Sequence, residues 1–135
     1  MAIDYGTKRV GIAVSDPLKI IANGLDTVPA KAVFDFLEDY FKTEEVETIV
    51  VGEPLHPDGN PAQFEPLVRE FVKKLKEKYP HINIEMQDER YTSVEAKKII
   101  LQSGVSKKKR RDKRLVDKIS AVLILQEYLE NNFYR

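Results

Sequence analysis

The chain of 135 residues contains no cysteine. That excludes a disulfide framework, a thiolate metal site and a cysteine nucleophile, and it fits a reducing cytosol. Long apolar runs are also missing: none approaches the roughly 20 residues of a membrane span. The first residues lack a basic segment leading into an apolar one, so no signal peptide is expected. The two histidines, His56 and His81, have no partner at metal-ligating spacing and read as loop residues. There is no internal repeat, low-complexity tract or linker. What remains is an ordinary globular balance, 42% hydrophobic and 33% charged, of a length that suits one domain over residues 1–135 with a single core.

Net charge is absent too, with 22 basic against 22 acidic residues. The zero conceals an asymmetry. KKKRRDKR, residues 107–114, holds seven basic residues and one acid, a charge of +6, so the other 127 residues carry −6. A basic segment on an acidic body points to local contact with a polyanion. A solvated loop has the same composition, so charge alone leaves both readings open.

The first third of the chain has strand character. Ile3 ends a short apolar stub, Tyr5-Gly6-Thr7-Lys8 has the composition of a tight turn, and Val10, Ile12 and Val14 alternate as a half-buried strand does. Ile20, Ile21, Leu25 and Val28 predict a third strand, interrupted by a bulge or turn at Asn23-Gly24. Helical spacing follows in Val33, Phe34, Leu37, Tyr40 and Phe41. Thr48 to Gly52 is a short apolar run of the kind buried on both sheet faces. The stretch 53–63, with three prolines and a glycine, predicts a loop. Phe64 to Tyr79 is strongly amphipathic and closed by Pro80. Ile82, Ile84 and Met86 alternate as a last strand. Thr92-Ser93-Val94-Glu95 has capping-box form, which starts a short helix ending near Gly104. A final helix is expected over about 113–132. The order is three meander strands followed by βα units, which predicts an α/β fold: a five-stranded mixed sheet flanked by helices.

Three acidic positions stand out. Asp4 ends the first strand, and Asp88-Glu89 ends the last. Asp117 opens the last helix and shares a helical stripe with Ala121, Ile124 and Tyr128, all uncharged, so it points toward the core. Each also has a plainer reading. Asp4 suits a turn, Asp117 a helix start, and Asp88-Glu89-Arg90 a surface salt bridge. Brought together, three carboxylates repel unless a cation neutralises them. Oxygen-rich sites of that kind suit Mg²⁺ or Mn²⁺.

DYGTKRVGIAVSD, VVGEPLHPDG, DERYTS and VDKISAVLILQEYL, in this order and across essentially the whole chain, resemble the YqgF/RuvX family. That family is described as Holliday-junction resolvases and as the nuclease that matures the precursor of small-subunit ribosomal RNA. The resemblance implies a ribonuclease H-like fold with the first strand beside the fourth. It also implies a metal-dependent endonuclease in the cytoplasm, acting on structured RNA or branched DNA as a monomer or homodimer. By similarity, Asp4, Glu89 and Asp117 are the catalytic, metal-binding acids. They would hold two Mg²⁺ or Mn²⁺ ions roughly 3.5–4 Å apart, which activate water and stabilise the leaving oxygen. The resemblance alone selects Glu89: strand alternation puts Asp88 on the face of Ile84 and Met86, and which face counts stays open.

Nucleic-acid contacts are expected from Lys8 and Arg9 after the first turn, from Arg90, and from Lys107, Lys108, Lys109, Arg110, Arg111 and Arg114. Two departures from the family are visible. The first strand is very short and expected to be poorly anchored, which fits a longer natural start. Glu53 takes a place that the family more often gives to an apolar residue, as a fourth acid or a solvent-facing one. Two other readings compete. DYGTKRVG is also similar to the phosphate loop of the actin and sugar-kinase superfamily, whose nucleotide site needs two domains where 135 residues hold one. A ribonuclease H-like module that binds without cutting is the other, and the retained acids argue against it.

Overall fold

The computed structural model describes residues 1–54, 58, 62–88, 96, 98, 99, 101 and 112–133. Strands β1 (Ala2–Tyr5), β2 (Arg9–Ser15), β3 (Ala22–Pro29), β4 (Thr48–Glu53) and β5 (Asn83–Asp88) form one sheet in the order β3-β2-β1-β4-β5. The first three pair antiparallel, while β4 runs parallel to both β1 and β5. Helices α1 (Val33–Tyr40), α2 (Glu65–Lys78) and α3 (Lys113–Phe133) complete the fold, with a 3₁₀ turn at Ala30–Ala32. This is the mixed α/β architecture that the element order and the resemblance imply, with β1 beside β4. Of the segment 92–104, the described residues Ala96, Lys98, Ile99 and Leu101 are helical. Among the described residues no helix is long and apolar enough to cross a membrane.

Alternation divides the sheet into two faces. Ile3, Val10, Ile12, Ile49 and Val51 point to one face and join Val33 and Leu37 of α1 and Val68, Phe71 and Leu75 of α2 in the larger core. Ala2, Ala13 and Val50 point to the other, against Ala121, Ile124, Leu125 and Leu129 of α3. The short β1 is well anchored, contrary to expectation. Ile3 is fully buried, β2 pairs with the strand along its whole length, and the Met1 carbonyl accepts from Val50 N–H at 2.8 Å.

The β1–β2 turn closes through Gly6 N–H donating to the Arg9 carbonyl at 3.0 Å. A side chain at Gly6 would begin 2.7 Å from that oxygen, so the turn requires glycine.

The third strand starts later than the apolar pattern predicts. Ile20 and Ile21 lie before it and are exposed, as is Leu18. Asp16 explains the difference: its Oδ1 accepts from the N–H groups of Ile20 and Ile21, each at 2.7 Å. Those bonds, that of Ile21 foremost, hold its carboxyl below the ordinary range. Lys19 takes a left-handed conformation, φ 59°, to complete this turn. The expected interruption near Asn23-Gly24 is a bulge. Ile12 faces Asp26 and Ala13 faces Gly24, which leaves Leu25 without a partner on β2.

The face beneath α3 is built of small residues. A side chain at Gly11 would overlap the Asp117 backbone carbonyl, whereas one at Gly24 meets side chains alone, Lys118 Cγ at 2.8 Å and Val122 Cγ2 at 3.5 Å. Thr27 Oγ1 donates to the Arg114 carbonyl at 2.7 Å, and the Arg114 guanidinium donates to the Thr27 carbonyl at 2.9 Å. Farther along, Tyr128 donates to Glu85 Oε2 at 2.5 Å. Burial, with that bond and the Glu85 charge, pushes the Tyr128 phenol up to about 12.

Two outcomes are expected. Gly11→Ala lowers unfolding free energy by about 1–3 kcal/mol, because backbone must move, while Gly24→Ala stays within about 1 kcal/mol of wild type. Urea denaturation compares them. Tyr128 keeps its proton in the fold above pH 10.0, where an unfolded tyrosine loses it. Stability therefore falls as pH rises from there toward about 12, since the folded state binds more protons. Tyr128→Phe flattens this alkaline loss in urea midpoints measured against pH.

Candidate active site on the helix face of the sheet

Alternation along β1 sends Ile3 and Tyr5 into the larger core, where Tyr5 stacks on Phe71 with ring centroids 4.2 Å apart. Ala2 and Asp4 take the opposite face, beneath α3. Asp4 is half-buried there and pairs across the strands with Gly11. Paired residues of this kind have Cα atoms roughly 4.5–5.5 Å apart. Gly11 is also where the α3 backbone at Asp117 rests. One glycine therefore brings β1's acid and the helix's acid to the same patch of sheet.

Asp117 does not point into the apolar core. Ala121 and Ile124, farther along its stripe, are buried, but Asp117 sits at the open end of that stripe. Its Oδ2 accepts from Arg9 Nε at 2.8 Å, in a pair with side-chain exposures of 24% and 34%. Arg9 lies two residues before Gly11 on β2, hence on the same face. Sequence reasoning assigned Arg9 to phosphate and missed this partner, which lies 108 positions away.

The register of β5 separates its acidic neighbours. Ile84 and Met86 pack on the larger core, while Glu85 bonds to Tyr128 of α3. Asp88 therefore belongs to the α2 face, and Gln87 to the face of Asp4. Glu53, paired in register with Asp88, also faces α2. Its Oε1 accepts from Arg69 at 3.1 Å, and Arg69 contacts Glu65 as well. Glu53 is thus neither a fourth acid of the Asp4 face nor a free surface charge. Glu89, Arg90, Lys107, Lys108, Lys109, Arg110 and Arg111 lie outside the described residues.

The described basic residues gather beside the acids. Lys8 is exposed at the turn, and its carbonyl accepts from Ala30 N–H at 2.9 Å, which draws the exposed Lys31 close. Arg114 is tied to Thr27 and lies 3.9 Å from Asp26, with its side chain 65% exposed. Lys31 and Lys118 were not singled out from sequence, since their nearness to this edge depends on the β2–β3 register and the placement of α3. His81 is exposed in the turn before β5.

The Asp4 and Asp117 donors fit a hard divalent cation: both are carboxylates, partly open to water. Among the described residues no group of three histidine or acidic side chains forms a metal site. The third acid expected from sequence, Glu89, is outside them.

The opposite-face placement of Glu53 has a direct consequence. Glu53→Gln removes a partly exposed ion pair, so it costs less than about 1 kcal/mol in urea denaturation, and it leaves Mn²⁺ binding measured by calorimetry unchanged.

Comparison with known proteins places this geometry in context. Residues 1–131 match a family model described as RuvX, Holliday junction resolvase. The chain is 52% identical over 129 residues to a protein of Christiangramia forsetii, covering 96% of each chain. It is 50% identical over 131 residues to one of Porphyromonas gingivalis, covering 97% of this chain and 95% of the other. A Flavobacterium psychrophilum protein is 46% identical over 129 residues, covering 96% and 94%. All three carry the name "Putative pre-16S rRNA nuclease".

Proposed function

The chain belongs to the RuvX family of Holliday junction resolvases, and from that premise we propose that it is a metal-dependent nuclease of the cytoplasm that cuts phosphodiesters in pre-16S rRNA. The observation that carries the reading is that Gly11 is both the cross-strand partner of Asp4 and the point where the Asp117 backbone rests on the sheet. The shared name of relatives that match nearly the full chain supports RNA as substrate.

Asp4, Asp117 and Glu89 are the acids that would hold Mg²⁺ or Mn²⁺. When bound, two such ions activate water and stabilise the leaving oxygen. The alternation that turns Glu85 toward Tyr128 gives Asp88 to the opposite face, which favours Glu89 over it as the third acid. The chain's own residues do the rest. The small residues under α3 keep Asp117 close to the sheet. The half-buried setting of Asp4 limits competition from bulk water. Lys8, Lys31 and Arg114, with the basic stretch 107–111 and Arg90, supply charge for the phosphate backbone beside the acids. Such contacts position a nucleic acid and do not read its bases.

Purified protein, offered labelled precursor rRNA and a labelled four-way junction with Mg²⁺, Mn²⁺ or chelator, tests this. Cleavage of the RNA is expected with metal and not with chelator. Asp4→Asn, Glu89→Gln and Asp117→Asn each lower the rate roughly a hundredfold or more, the scale of losing metal-borne charge stabilisation. Cleavage of the junction alone moves the substrate to DNA. Metal-independent cleavage, or full activity in the variants, defeats the reading.

A further inference from the structure

We propose that Arg9 is the resident counter-charge of Asp117, which an incoming divalent cation must share or displace, so that Arg9 sets the metal affinity of the site. The inference rests on the metal-dependent reading above. It begins with the 2.8 Å contact between Arg9 Nε and Asp117 Oδ2. The pairing is built into the fold at both ends. Arg9 opens β2, and its carbonyl is held by Gly6 of the preceding turn. The Asp117 backbone rests on Gly11, two residues farther along the same strand.

The charges explain why a cation is needed there before any metal arrives. Asp4 and Asp117 are two carboxylates on one patch of sheet, and like charges so placed repel. A guanidinium on Asp117 offsets the charge of that carboxylate. Stability is a poor reason for the pair, since a partly exposed bridge contributes little. Once a divalent cation binds, the same guanidinium opposes it. At the short separations within one carboxylate site, in a partly screened setting, removing one unit of positive charge tightens cation binding on the order of tenfold.

The contact also leaves Arg9 able to act in two directions. It uses Nε, the inner edge of the fork, and among the described residues the two terminal amino groups have no carboxylate partner. A planar fork of five donors bonds a carboxylate along one edge and keeps donors for a phosphate. Arg9 is therefore a positioning residue that links the acid to whatever anion approaches, and not a group that performs the cleavage.

Metal-stripped wild type, Arg9→Gln and Arg9→Lys should be titrated with Mn²⁺ alone, without nucleic acid, by calorimetry, and their unfolding midpoints compared with and without Mn²⁺. Arg9→Gln is expected to bind Mn²⁺ on the order of tenfold more tightly and to gain more in midpoint from the metal than wild type. Arg9→Lys, which keeps the charge, stays close to wild type and shows that the effect is electrostatic. In cleavage assays the Mg²⁺ concentration for half-activity falls in Arg9→Gln. Wild-type binding of Mn²⁺ with unaltered or weaker binding by Arg9→Gln overturns the inference and leaves the nuclease reading standing. A raised KM with unaltered metal affinity makes Arg9 a phosphate contact instead, which also overturns it. No Mn²⁺ binding by wild type or variants overturns both.

Discussion

A helix carbonyl resting against a strand glycine is the contact on which the site depends. At Gly11 the α3 backbone approaches the sheet more closely than any side chain would permit. Ala2, Ala13 and Ala121 extend the narrow seam on either side. Close packing turns this small-residue strip into a positional constraint, since interiors leave no slack for a helix to settle elsewhere. Two polar clamps fix the helix's rotation: Thr27 with Arg114 at its start, and Tyr128 with Glu85 toward its end. Asp117 is therefore placed by backbone contact, and its carboxylate needs to find a partner only over the last bonds of its side chain.

The sheet also works as a partition between two kinds of acid. Glu53 and Asp88 end adjacent strands, yet their parity gives them to the α2 side, where Arg69 engages Glu53. Asp4 ends a strand of the same sheet and belongs to the α3 side. Strand ends concentrate acids at one rim of an α/β sheet, and alternation then sorts them. Glu53 and Asp88 lie on one face, and Asp4 lies on the other, where Asp117 occupies the partly open first turns of α3.

Most of the architecture was legible in the sequence because it depends on short-range pattern. The alternation in β2, the apolar run of β4 and the helical spacing in α1, α2 and α3 each state their own type. Where reading failed, the deciding partner was distant or polar. Ile20 and Ile21 look like strand residues, but one carboxylate, Asp16, folds their backbone into a turn. Nothing near Gly11 in the sequence signals its contact with a helix more than a hundred positions later. For Arg9, expected at a phosphate, nothing local reveals its additional pairing with Asp117. Which face Asp88 takes could not be read locally, and the Glu85 bond to Tyr128 shows that α3 covers the opposite one.

The extra residue in β3 bears on how the protein keeps its own company. β3 is the outermost strand on its side, with backbone groups facing away from β2. An unbroken outer strand is a template on which a neighbour's chain can lay itself down, and proteins that tolerate crowding spoil such templates. Leu25 does this by shifting the register midway, so the rim twists and its hydrogen-bonding groups fall out of step. A stray strand finds only brief stretches to grip, and among the described residues the sheet stops at five.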